Sequence, residues 1–177
     1  MQLTGRQILD RNIIEGIEDP EQIQQQGIDV RAAMLFAMSD KGGFIPKKGK
    51  TKIPNWEAVP TSFSDGVIYP CIPVGTKYWF LEPGYYEVRL KEGCNIPNNA
   101  TLHFKTRSSL VRCGAQVLSG QFDAGFHTDA MGCFLHCSMP IYIEQDARIA
   151  QALVFETAPV ESTDMYDGQW QGDKQRG

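Results

Sequence analysis

Residues 101–126 read TLHFKTRSSLVRCGAQVLSGQFDAGF. TLHFKT and AQVLSGQF are short runs of β-branched and aromatic residues broken by glycine and polar positions, the pattern of strands. Between them SSLVRCG predicts one brief helix, with Ser108 or Ser109 as the N-cap and Gly114 at its end. Two strands joined through a single turn of helix set the expectation for the rest of the chain.

Outward from this stretch the strand pattern continues. Downstream come GCFLHC (132–137), PIYIE (140–144) and RIAQALVFE (148–156); upstream lie VIYPCIPV (67–74) and TKYWFLEPGYYEVRL (76–90). Further back, in GIDVRAAMLFAM, Ile28, Val30 and Ala32 alternate with Asp29 and Arg31, again a strand. TGRQILDRNIIEGI (4–17) differs: Ile8, Leu9, Ile13, Ile14 and Ile17 recur at helical spacing, with Thr4 placed to cap. Residues 40–60, with Gly42, Gly43, Pro46, Pro54 and Pro60, predict a long loop or arm, and the polar segment 162–177 a mobile C-terminal lid. The predicted fold class is mainly β, a barrel or sandwich with an N-terminal helix and one short inserted helix, as a single domain over residues 1–177.

Seventeen Lys and Arg against 21 Asp and Glu leave a formal charge of −4, which argues against a general nucleic-acid binder. No stretch approaches the ~20 apolar residues of a membrane helix, and MQLTGRQILDRN lacks the apolar run of a signal peptide. With five cysteines, an odd number, reduced thiols and a cytoplasmic protein are expected.

Five stretches bear on the chemistry. In TRSSLVR, Arg107, Ser108, Ser109 and Arg112 offer guanidinium, hydroxyl and backbone donors on about one turn, a set suited to phosphate. The alternative is an arginine pair bridged to surface carboxylates, with serine as a plain cap. In SGQFDAGF, Asp123 stands among small and aromatic residues and could orient or deprotonate a water; a turn aspartate bonding its own backbone is the alternative. In GCFLHC, alternation puts Cys133 and Cys137 on one face and His136 on the other, so the three do not converge on a metal. Gln151 is the odd polar member of RIAQALVFE, and the tail supplies Tyr166, Trp170, Lys174 and Gln175 for stacking and phosphate contacts.

Taken in order, these stretches resemble the dCTP deaminase/dUTPase superfamily. LTGRQIL and QQQGIDVR are similar to its N-terminal helix and following strand, TRSSLVRCG to its phosphate motif, FDAGF to its aspartate segment, RIAQALVFE to its I-A-Q strand and YDGQWQGDKQRG to its tail. The resemblance implies a distorted jelly-roll, barrel-like subunit in a homotrimer, with active sites between subunits. It also implies Mg²⁺ carried by the phosphates and water, with no metal ligand from protein side chains. By the same resemblance Arg107, Ser108, Ser109, Arg112 and Gln151 grip phosphates, Asp123 orients the attacking water, and Tyr166, Trp170, Lys174 and Gln175 close over the nucleotide. Deaminases of the superfamily carry a glutamate after the aspartate segment. Here none lies between Asp123 and Pro140, and His136 or Asp129 would have to move the proton instead. The implied activity is therefore dUTP pyrophosphatase first, dCTP deaminase second, and a non-catalytic nucleotide-binding regulator third.

Overall fold

The structure is a computed structural model that describes residues 1–38, 42–67 and 71–172. In chain order these form α1 (Gly5–Asp10), β1 (Ile14–Glu15), β2 (Ile23–Gln24), β3 (Gly27–Met38), β4 (Trp56–Ala58), β5 (Ser62–Phe63), β6 (Lys77–Leu81) and β7 (Gly84–Leu90). There follow β8 (Gly93–Asn95), β9 (Ala100–Thr106), α2 (Ser108–Arg112), β10 (Ala115–Leu118), β11 (His127–Thr128), β12 (Gly132–Cys137), β13 (Ile141–Glu144) and β14 (Arg148–Glu156). Mainly β architecture, an N-terminal helix and one short inserted helix are all present.

The helices follow local rules only in part. Thr4 caps α1 as expected: its hydroxyl accepts from the Gln7 amide, and the Gln7 side chain returns to the Thr4 backbone. The helix is shorter than its apolar spacing predicts. Asn12 adopts a positive φ of 51°, which ends the helix and leads through Ile13 into β1 at Ile14, both isoleucines being buried. α2 is capped by Arg107 without a side-chain bond, so neither Ser108 nor Ser109 is the cap. Of VIYPCIPV (67–74), residues 68–70 lie outside the described residues; residues 71–74 follow turns and bends rather than the predicted strand, since Pro73 and the following Gly75 suit turns better than a ladder.

The main sheet runs β10-β12-β7-β3-β14-β9, with β2 and β4 also on β3, and curls into a nearly closed barrel. Its long strands pair antiparallel, and β14 pairs with β9 over seven consecutive positions from Ala150 to Glu156. Smaller sheets β1-β8-β11 and β13-β6-β5 complete the shell. Ile28 and Val30 (β3), Val88 (β7), Leu102 (β9), Leu135 (β12) and Val154 (β14) are each fully buried, so the core lies inside the curl. β3 is covered on both faces at its start: Gly27 through Ala32 are all buried, charged residues included.

Burying Arg31 requires partners, and it has them. Its Nε and backbone N–H donate to Glu92, a fully buried carboxylate that also accepts from Gln22, at 2.7, 2.8 and 2.8 Å. Glu18 takes the outer edge of the guanidinium at 2.8 Å. This network pins β3 to the turn before β8. None of the described helices is long and apolar enough to cross a membrane.

Candidate active site

Leu102 of β9 and Phe122 exchange backbone hydrogen bonds at 3.0 Å each, and the Thr101 hydroxyl donates to the Phe122 carbonyl. The chain then turns at once: the Phe126 amide donates to the Asp123 carbonyl, and Gly125 sits at φ 86°. That conformation favours glycine. A side chain there would also strike Met165, 2.8 Å from an added β-carbon. The FDAGF turn therefore presents Asp123 and receives the C-terminal segment on its back. Rings of Phe104, Phe122, Phe126 and Tyr166 meet edge to face at centroid distances of 5.1, 5.4 and 5.4 Å, linking β9 to the tail.

Beside the turn opens a cavity of about 370 Å³, within the range that holds small organic ligands. One wall is the turn itself, with Gln121, Phe122, Asp123 and Phe126. A second is the barrel, with Glu87 of β7 and Cys133 and Phe134 of β12. Ile53, Pro54 and Trp56 of the arm form a third, and Tyr166 and Trp170 of the tail a fourth. Asp123 is exposed, and its Oδ1 accepts from Gln121 Nε2 at 2.7 Å. The structure thus brings together three residues marked by the sequence: Asp123, Tyr166 and Trp170. Lys174 and Gln175 lie outside the described residues.

The phosphate-suited set lies elsewhere in the same chain. None of Arg107, Ser108, Ser109, Arg112 and Gln151 lines the cavity. From the Leu102–Phe122 bridge to Arg107 is five residues of extended chain, roughly 16 Å at ~3.3 Å per residue. Ser108, Ser109 and Arg112 are exposed on α2. Arg107 is held from behind: Nε pairs with Asp29 at 3.1 Å and Nη1 donates to the Arg148 carbonyl at 3.1 Å. Gln151 lies opposite Asp29 in the β3–β14 ladder and bonds its carboxylate through the side chain. Burial raises the Asp29 pKa, an effect that Arg107, Arg148 and Gln151 oppose. Asp29, in the sequence only an alternating position of a strand, therefore anchors the first arginine of the set.

The two residues considered as proton shuttles do not reach the cavity. His136 stacks flat on Tyr85 at 4.4 Å and lies beside Gln116, while Asp129 is an exposed turn residue. Cys133, Leu135 and Cys137 share the buried face of β12, as alternation requires. Burial pushes the Cys94 thiol up to about 12 and that of Cys137 to about 11, so both stay protonated and unreactive near neutrality. The carboxylate that does reach the cavity, besides Asp123, is Glu87. No motif marks it. The only local signal is its place opposite an aromatic-rich strand, with Phe134 on one side and Phe36 on the other.

Fold and site together define a mainly β, barrel-like protein with an exposed aspartate beside a cavity lined in part by aromatic rings. The chain belongs to the dCTP deaminase-like family, whose model matches residues 2–158. It is 31% identical over 162 residues to a deoxyuridine 5'-triphosphate nucleotidohydrolase of Methanocaldococcus jannaschii, covering 92% of this chain and 94% of the relative. A probable enzyme of the same name from Methanosarcina acetivorans is 29% identical over 164 residues, with 92% and 88% covered. Among solved structures, a 2'-deoxycytidine 5'-triphosphate deaminase from Agrobacterium tumefaciens superposes with a TM-score of 0.59 at 17% identity. That match covers 86% of this chain but 47% of the other, and it shows the shared fold.

Proposed function

We propose that this chain hydrolyses dUTP to dUMP and pyrophosphate. The observation that carries the reading is Asp123 on the wall of the cavity, its Oδ1 held by Gln121, with Tyr166 and Trp170 lining the same space. A carboxylate fixed at one oxygen can orient a water with the other, and it suits in-line attack on the α-phosphorus. Relatives named deoxyuridine 5'-triphosphate nucleotidohydrolase, matched over most of both chains, support the same chemistry.

The separation of the arginine–serine set from the cavity supports a site completed by a second copy. In that arrangement α2 of one subunit grips the phosphates of a nucleotide whose base lies in the cavity of its neighbour. A cytoplasmic homotrimer with sites between subunits satisfies this geometry. Arg107, Ser108, Ser109 and Arg112 would then hold the triphosphate and stabilise charge on the leaving pyrophosphate, with Gln151 steadying Asp29 behind them.

Among the described residues no cluster of three or more His, Cys, Asp or Glu is placed to hold a metal. The hard oxygens of Asp123 and Glu87 suit a hydrated Mg²⁺ that arrives on the phosphates. Such an ion supplies charge neutralisation along the triphosphate. Glu87 gives deamination of dCTP its one specific support, as a carboxylate at the base-sized cavity.

The deciding experiment incubates the protein with Mg²⁺ and either dUTP or dCTP, following nucleotides, pyrophosphate and ammonia. Pyrophosphate and dUMP from dUTP alone are expected. Ammonia from dCTP would overturn the assignment and make Glu87 the first residue to replace. Saturable nucleotide binding with no product from either would leave a regulator.

A further inference from the structure

The arm and the tail meet at one side chain. Gln169 Oε1 accepts from the Thr51 N–H at 2.9 Å, and Gln169 Nε2 donates to the Thr51 carbonyl at 2.9 Å. The amide thus acts as a strand residue would, satisfying donor and acceptor of one backbone unit across 118 positions of sequence. Two residues on, Gln171 turns to the catalytic turn. Its Oε1 accepts from the His127 N–H at 3.2 Å and its Nε2 donates to the Gly125 carbonyl at 2.8 Å. The Gly172 N–H reaches the His127 carbonyl, and the Tyr166 N–H the Ala124 carbonyl.

The tail therefore bridges arm and turn, and the residue between the two glutamines is Trp170, which lines the cavity. The arm is itself an open hairpin. Phe44 and Lys52 close it with two backbone bonds of 2.8 and 2.9 Å, and its far end joins the barrel where β4 pairs with β3. Thr51 stands next to that closure and two residues before Ile53, the first of the arm's cavity residues. Holding Thr51 thus holds the wall formed by Ile53, Pro54 and Trp56.

We infer that Gln169 is a positioning residue that clasps the arm to the C-terminal segment, so that arm and tail close over Asp123 as one unit. The inference deepens the proposed nucleotide site, and its effect on turnover rests on that reading. It specifies a side chain. Only a primary amide of this length donates and accepts at once; glutamate, the same shape, accepts only, and lysine donates only.

The test compares the full chain with Gln169→Glu, and with Thr51→Pro, which removes the backbone donor from the other partner. Hydrogen exchange of the 42–56 segment is followed without nucleotide, and kcat and KM for dUTP with Mg²⁺. The clasp requires faster arm exchange in both variants and a KM raised about tenfold, equivalent to ~1.4 kcal/mol, with kcat within about threefold. Gln169→Asn, too short to span, should behave like the glutamate variant. Melting midpoints within a few degrees of wild type exclude general unfolding as the cause. Arm exchange unchanged in Gln169→Glu overturns the clasp whatever the kinetics. If wild type turns over neither nucleotide, the functional reading fails while arm exchange still decides the clasp.

Discussion

Asp123 forms the turn through its backbone and, in the proposed reaction, acts through its carboxylate. Its backbone carbonyl closes the turn to the Phe126 amide, whereas its carboxylate takes a hydrogen bond from Gln121 and faces the cavity. Asp123→Asn keeps the turn and removes the base, so kcat for dUTP should fall about 10²- to 10⁴-fold with nucleotide affinity largely retained; wild-type kcat would refute the assignment. Asp29 makes a different case. Its side chain is 3% exposed and its pKa is raised, burial outweighing Arg107, Arg148 and Gln151. A carboxyl whose folded pKa is raised contributes stability fully below its unfolded value, ~3.9, and loses it as pH rises through the folded value. Relative to Asp29→Asn, wild type should therefore gain stability as pH falls from 7 toward 4, measured by urea unfolding at each pH. At pH 7 the same variant frees Arg107 from its anchor, and KM for the triphosphate should rise while kcat changes less.

Elements, more than single residues, decide how the cavity is built. The FDAGF turn works because Gly125 has a positive φ and leaves room for Met165 and the Tyr166 amide behind it. Gly125→Ala meets both costs, about 1–2 kcal/mol of backbone strain and a collision with the tail. The tail should detach, seen as rapid proteolysis C-terminal to residue 160, before the barrel melts. Intact tail protection in that variant would show that the tail docks by other means. β7 and β12 contribute differently: their register sets Glu87 opposite Phe134, so a carboxylate enters the wall beside an aromatic ring. The short α2 contributes exposed donors at the end of β9, on a strand rigidly laddered to β14.

For the whole molecule, the distance between α2 and the cavity makes a sharp prediction. Arg107→Ala and Asp123→Asn subunits, each inactive alone, should recover part of the activity when unfolded together and refolded as a mixture, because some sites then combine an intact arginine with an intact aspartate. No recovery in a mixed oligomer would place the whole site within one chain. Much of this design is legible in the sequence. Alternation and β-branched runs give β9, β12, β13 and β14 close to their observed bounds, and short motifs mark Asp123, Tyr166 and the arginine–serine turn. Less legible are the end of α1, where Asn12 overrides a helical spacing, and the turns at residues 71–75, where Pro73 and Gly75 override a strand-like run. By itself the sequence determines which residues of a strand share a face and which motifs hold residues suited to chemistry, because side-chain period and turn chemistry are local. Only the tertiary structure decides that Glu87, Trp56 and Asp123 share a cavity, that Asp29 anchors Arg107, and that Gln169 meets Thr51. These pairs depend on strand register and on the curl of the sheet, which bring distant positions together and leave no local trace in the order of residues.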